Sequence, residues 1–187
     1  MNCLVLSRYS RLGASSRVRF YQYIPYLEAH GVKVVVAPLL DERYMERLNT
    51  GLPKNWANVA LNYFRRLLLG FKLENFDLLW VQSEFFPYFP FIVDRCYSPS
   101  EIPYVLDLDD AVFHRYDLHS SLLVRRIFHD KIDKLMHRAA LVTAGNDYLA
   151  QRALRSGAKR VEILPSVVDP SRYPDKRRSP DRPCPQG

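Results

Sequence analysis

Ser7-Arg8-Tyr9-Ser10-Arg11-Leu12-Gly13-Ala14-Ser15-Ser16-Arg17-Val18-Arg19 is a basic, small-residue segment set between an apolar run and an amphipathic one. Upstream, Cys3-Leu4-Val5-Leu6 reads as a short buried strand; downstream, Phe20, Ile24 and Leu27 recur at helical spacing. A strand followed by a small-residue turn and a helix start suits an anion, because the first N–H groups of a helix lack intrahelical partners and carry positive partial charge. Ser15 or Ser16 suits the N-cap, and Gly13, without a side chain, lets another group approach the backbone closely. Arg8, Arg11, Arg17 and Arg19 surround the turn, as a phosphate would require. The same residues also permit a tight turn edged by solvated arginines, and on this segment alone both readings stand.

Moving outward, Gly31 stops the first helix and Val32-Lys33-Val34-Val35-Val36-Ala37 supplies a β-branched second strand. Pro25 falls inside the helical pattern and should kink it. Strand, helix, strand in this order implies a right-handed crossover and a parallel sheet. Residues 41–49 suggest a short surface helix. Trp56, Val59, Ala60, Tyr63, Phe64, Leu67, Leu68 and Phe71 then form an apolar stripe, with Lys54, Arg65, Arg66 and Lys72 on or beside the other face. Such a stripe is expected to bury against the sheet; the alternative for a basic, aromatic helix is a membrane surface.

Leu78-Leu79-Trp80-Val81-Gln82 reads as the third strand, and Glu84 to Pro90 as an aromatic turn or short helix, either a substrate wall or a hydrophobic plug. Pro103-Tyr104-Val105-Leu106 opens a fourth strand that runs into Asp107-Leu108-Asp109-Asp110. Three carboxylates in four residues raise one another's pKa, and the carboxyl end of a parallel strand is where such sheets bind ligands. Alternation sends Asp107 and Asp109 to one side and Asp110 to the other. The structural alternative is helix capping plus salt bridges to nearby arginines. A long amphipathic helix is expected from Ser120 or Ser121 to Met136, with His129 and His137 on its solvent flank. Ala140 to Ala144 is a fifth strand, Gly145-Asn146-Asp147 a turn and cap, Tyr148 to Ser156 a helix ended by Gly157, and Val161 to Pro165 a sixth strand. The expected fold is α/β, a single Rossmann-like doubly wound domain over 1–173 with a mainly parallel sheet of about six strands, followed by a Pro/Arg-rich tail over 174–187.

Composition sets the bounds. A 48% hydrophobic share supports a packed core, and a net charge of +7 favours acidic partners. Cys3, Cys96 and Cys184 are widely spaced, form no metal pattern and point to a reducing compartment. With no signal-peptide plan and no apolar run of about 18 residues, the expected location is cytoplasmic.

Gly13-Ala14-Ser15-Ser16-Arg17-Val18-Arg19 with Tyr23-Ile24-Pro25-Tyr26-Leu27, then Leu106-Asp107-Leu108-Asp109-Asp110, then Val142-Thr143-Ala144-Gly145-Asn146 leading to Ile163-Leu164-Pro165-Ser166-Val167-Val168-Asp169, resemble the N-terminal half of a GT-B glycosyltransferase of the family-4 retaining type. The resemblance covers about residues 1–173. It implies an acceptor-side domain that works across a cleft from a second, donor-binding domain, whose paired acidic residues this sequence lacks. The chain is about half the length that the resemblance leads one to expect, so alone it is expected to bind poorly and transfer little. The resemblance puts Gly13, with Arg17 and Arg19, beside the donor diphosphate. It puts Asp109 and Asp110 at the reacting sugar, where relatives often carry a His, and a carboxylate there can accept from a sugar hydroxyl or stabilise charge at the anomeric carbon. Ser15, Glu84 and His114 are the candidates for acceptor contacts. No metal and no cofactor are implied beyond the nucleotide sugar itself. Expected partners are that donor, a glycan or lipid-linked acceptor, a separate C-terminal domain and a peripheral contact at the inner membrane surface, with no nucleic acid.

Two competing functions remain open at this level. One is a non-enzymatic module whose basic loop and Trp56 helix hold an anionic surface or nucleic acid. The other is a nucleotide-cofactor oxidoreductase, disfavoured because Gly13 lacks the companion glycines of GxGxxG; the P-loop signature is absent too.

Overall fold

The computed structural model describes residues 1–98 and 101–168. Strand β1 (Asn2–Leu6) leads into α1 (Ala14–Ser16), which continues as a π-helical turn over Arg17–Tyr21, and then into α2 (Ile24–Ala29). Pro25 divides the segment as expected: it occupies the first turn of α2, where its missing N–H costs nothing. Next come β2 (Lys33–Val36), α3 (Glu42–Asn49), α4 (Trp56–Leu69) with a 3-10 extension over Gly70–Asn75, and β3 (Leu78–Gln82). They are followed by α5 (Phe91–Tyr97), β4 (Tyr104–Leu108), α6 (His114–Asp117), α7 (Leu122–Phe128) and α8 (Lys131–Arg138). The described chain closes with β5 (Leu141–Ala144), α9 (Asp147–Arg155) and β6 (Val161–Ile163).

The strands form one all-parallel sheet in the order β2-β1-β3-β4-β5-β6, an α/β Rossmann-like doubly wound architecture. The chain leaves β1 in one direction to reach β2 and then returns past β1 to reach β3. Right-handed crossovers therefore place the first helical segment on one sheet face and the later helices on the other. The two cores follow that division. Phe20 packs with Cys3 and Val5 on one face, whereas Leu4, Leu6, Leu79, Val81 and Leu106 meet the later helices on the other. The crevice at the carboxyl ends of β1 and β3 is the topological switch point. The tail over 174–187 lies outside the described residues.

Two expectations are corrected. The apolar stripe of α4 turns inward only at Val59 and Tyr63: Trp56 is 71% exposed, Phe64 56% and Phe71 83%, while the helix docks through Asn62 and Arg66, both nearly inaccessible. Nη2 of Arg66 donates to the carbonyls of Ser7 (3.0 Å) and Ala37 (2.7 Å), pinning the helix to the loops that leave β1 and β2. Val59, Asn62, Tyr63, Arg66 and Leu73 make an inner seam of mixed polarity, and the more apolar outer arc dominates any periodicity count. The long helix expected up to Met136 is broken at His129–Asp130 into α7 and α8. Directly after the break, Lys131 turns inward and is completely buried. His129 and His137 are exposed, as expected.

Candidate functional site

At the carboxyl ends of the central strands, sheet register brings Gln82, Asp107 and Thr143 side by side. All three are buried polar groups, so each needs a partner. The first helical segment supplies them. Arg19 meets Asp107 as a fork: Nε donates to Oδ2 (2.9 Å) and Nη2 to Oδ1 (2.5 Å). Thr143 Oγ1 donates to the same carboxylate at 2.6 Å, and Arg19 Nη1 donates to the Leu164 carbonyl at 2.5 Å. Burial pulls the Arg19 pKa down, but the Asp107 hydrogen bonds and charge outweigh it and leave the guanidinium firmly protonated. Burial pushes the Asp107 carboxyl up, and Arg19 opposes that push.

Beside this pair, Gln82 stitches the turn to the sheet. Its Oε1 accepts from the Arg8 backbone N–H (2.9 Å) and from Ser16 Oγ (3.1 Å), and its Nε2 donates to Ser15 Oγ (2.7 Å). Ser15 Oγ in turn donates to Asp109 Oδ2. Residues 94 positions apart in sequence, on the small-residue turn and the acidic corner, thus touch each other at the switch point. Asp107 and Asp109 both face the first helical segment, as strand alternation requires, while Asp110 is exposed. The π-helical turn that carries Arg19 closes with Gln22 N–H donating to Arg17 O, five residues back, at 3.0 Å. Turns of this kind concentrate at functional sites.

The other sequence candidates divide sharply. Gly13 is buried and caps α1 with ordinary extended geometry; a Cβ there would sit 2.5 Å from the Tyr9 Cβ, so the close neighbour that requires glycine is the Tyr9 side chain. Arg17 is exposed and donates to the Leu12 carbonyl at 3.3 Å. Arg19, 1% exposed, is committed to Asp107 and Leu164, so it braces the turn rather than meeting solvent. Glu84 is also enclosed: it takes Lys131 (2.8 Å), Tyr116 (2.7 Å) and Arg115 (3.1 Å), which makes it a core carboxylate. His114 sits on the rim of the acidic corner, its Nδ1 2.9 Å from Asp117 and its Nε2 2.6 Å from the Tyr148 hydroxyl.

Sequence reasoning missed Gln82, Thr143, Lys131, Asp94 and the bracing role of Arg66. Lys131 lies between Glu84 and Asp94, the latter at 3.1 Å, in a sealed triad beneath the aromatic turn. Burial raises the Asp94 pKa to about 6 despite Lys131. The turn above it is strained at both ends, with Ser83 at φ 62° and Tyr88 at φ 61°. At the switch point the Nε of Arg8 is buried with no hydrogen-bond partner among the described residues. Among the described residues no cluster of three or more His, Cys, Asp or Glu side chains suited to a metal occurs, and no helix is long and apolar enough to cross a membrane.

No protein-family model matches the chain, and no curated protein matches its sequence.

Proposed function

We propose that the chain is the acceptor-side N-terminal portion of a glycosyltransferase of the GT-B type, moving a hexosyl group from a nucleotide sugar to a glycan or lipid-linked acceptor in concert with a donor-binding domain. The observation that carries this reading is the Ser15–Asp109 contact, which joins the basic turn and the acidic corner in one place at a topological switch point. In this reading the unpaired Arg8 Nε and exposed Arg17 supply positive charge toward a diphosphate, and the Gly13 turn keeps them in place. Asp110, exposed, and Asp109, half-buried and oriented by Ser15, present carboxylate oxygens to sugar hydroxyls or to positive charge at the anomeric carbon. His114 and Ser15 line the acceptor side. Arg19 and Asp107 hold the two halves of the site together and touch no ligand. The nucleotide sugar is a substrate, and the reading needs no resident cofactor.

The test is ligand-observed NMR with a panel of nucleoside diphosphate sugars at millimolar concentration. The expected result is saturation transfer to at least one donor, with Asp110→Asn or Arg17→Ala weakening it about fivefold or more. Saturation transfer to no donor, or transfer from both variants equal to that from the unaltered chain, would overturn the assignment.

A further inference from the structure

A helix that shows its polar residues to the core and its aromatic residues to water needs a partner for the outward face. On α4 and the turn after it, the outward side chains Trp56, Phe64, Leu67, Leu68 and Phe71 are all exposed, Phe71 by 83%. At about 100° per residue they fall on one arc of the helix surface, with Leu61 at its edge. The arc continues into an open apolar groove of about 440 Å³ formed with Ile92, Val93 and Cys96 of α5. Its borders are basic: Lys54, Arg65 and Lys72 are exposed, and no Asp or Glu occurs between Glu46 and Glu74. Lys54 Nζ stands 5.8 Å from the Trp56 ring centre, so a cation and an amphipathic indole share one end of the face.

We propose that this face seats the protein on a bilayer surface rich in anionic phospholipid, with α4 lying in the interface plane. Aromatic and leucine side chains enter the acyl boundary while the lysines and Arg65 meet headgroup phosphates. Charge selects this occupant. A border on which Lys54, Arg65 and Lys72 outnumber one exposed carboxylate, Glu74, matches a negatively charged surface, whereas a second copy of the chain would bring like charges together. Since the core-facing side of the helix is held by Arg66 on two backbone carbonyls, the outward side chains are free to leave water without disturbing the sheet. The inference does not depend on the sugar-transfer reading.

The test is flotation of the whole chain with vesicles of phosphatidylcholine alone and of phosphatidylcholine containing about one-third phosphatidylglycerol, at two salt concentrations. Binding is expected on the anionic vesicles, weakened by salt, with a blue shift of tryptophan emission that Trp56→Phe abolishes. Phe64→Ser/Phe71→Ser and Lys54→Glu/Arg65→Glu should each cut partitioning about tenfold or more while leaving the thermal unfolding midpoint unchanged, because these residues contribute little to the core. No binding to anionic vesicles, equal binding to both compositions, or full binding by either double variant overturns the proposal. So does a dimer by light scattering that Phe64→Ser dissolves, which would give the face to a second copy.

Discussion

Breaking the Arg19–Asp107 pair tests how the turn is held to the sheet. Arg19 is 1% exposed and Asp107 fully buried, so neither charge can be rehydrated in the native state if its partner is removed. Asp107→Leu would leave the guanidinium with only the Leu164 carbonyl at 2.5 Å and a marginal 3.5 Å contact to Ser166, and would orphan Thr143 Oγ1. Arg19→Met would leave a sealed carboxylate supported by one hydroxyl. Each single change should cost about 3–5 kcal/mol, the cost of an uncompensated buried charge. Against a total stability of about 5–15 kcal/mol for a domain, that removes a large share of the folding free energy. The double change Arg19→Met/Asp107→Leu removes both charges and should cost clearly less than the two singles together, a coupling of about 2 kcal/mol or more. Urea unfolding followed by circular dichroism at pH 7 measures all four corners of the cycle. Additive singles, or singles costing less than about 1 kcal/mol, would refute the view that this pair braces the site.

Other consequences are open to measurement. Gly13→Ala places a methyl 2.5 Å from the Tyr9 Cβ at a φ that any residue adopts, so the cost is steric: about 1–3 kcal/mol in chemical denaturation, partly recovered in Gly13→Ala/Tyr9→Gly, which removes the opposing Cβ, and not in Gly13→Ala/Tyr9→Ala, which keeps it. Asp94 holds its proton up to about pH 6 in the folded chain and only to about pH 4 when unfolded, so the folded state binds more protons between those values and stability falls as pH rises through them. Asp94→Asn keeps the acceptor for the Phe86 N–H and should flatten that fall, which amounts to about 2–3 kcal/mol; parallel stability curves for variant and wild type would contradict it. Lys131→Met leaves Asp94 without a cation and Glu84 with Arg115 alone and should cost about 3–5 kcal/mol at pH 7, with a smaller loss near pH 4, where Asp94 is protonated in the folded chain.

Much of the architecture was readable because the strands announce themselves locally. Leu78-Leu79-Trp80-Val81-Gln82 matches β3 residue for residue, and Asn146 caps α9 by accepting from the Leu149 N–H as its position suggests. The meeting of turn and acidic corner was legible too, since both lie at the carboxyl ends of parallel strands, β1 and β4, with only β3 between them. What was not legible depends on pairing across the chain. Of three aspartates, Asp107 alone found an arginine deep enough to seal it, and nothing in the local run distinguishes it from Asp109. Glu84 looks like a site residue until Lys131, 47 positions later, is seen beneath it. The inversion of α4 was hidden because Arg66 satisfies itself on backbone carbonyls, which leave no mark in side-chain periodicity.

The most direct measurement of the central claim is backbone amide NMR of the isotopically labelled chain titrated with the nucleoside diphosphate sugar that gives the strongest saturation transfer. The account predicts shift changes concentrated in Arg8–Arg19 and Asp107–His114, diminished together by Ser15→Ala, because one contact joins both segments. Changes confined to one segment, or centred on the opposite end of the sheet, would contradict it.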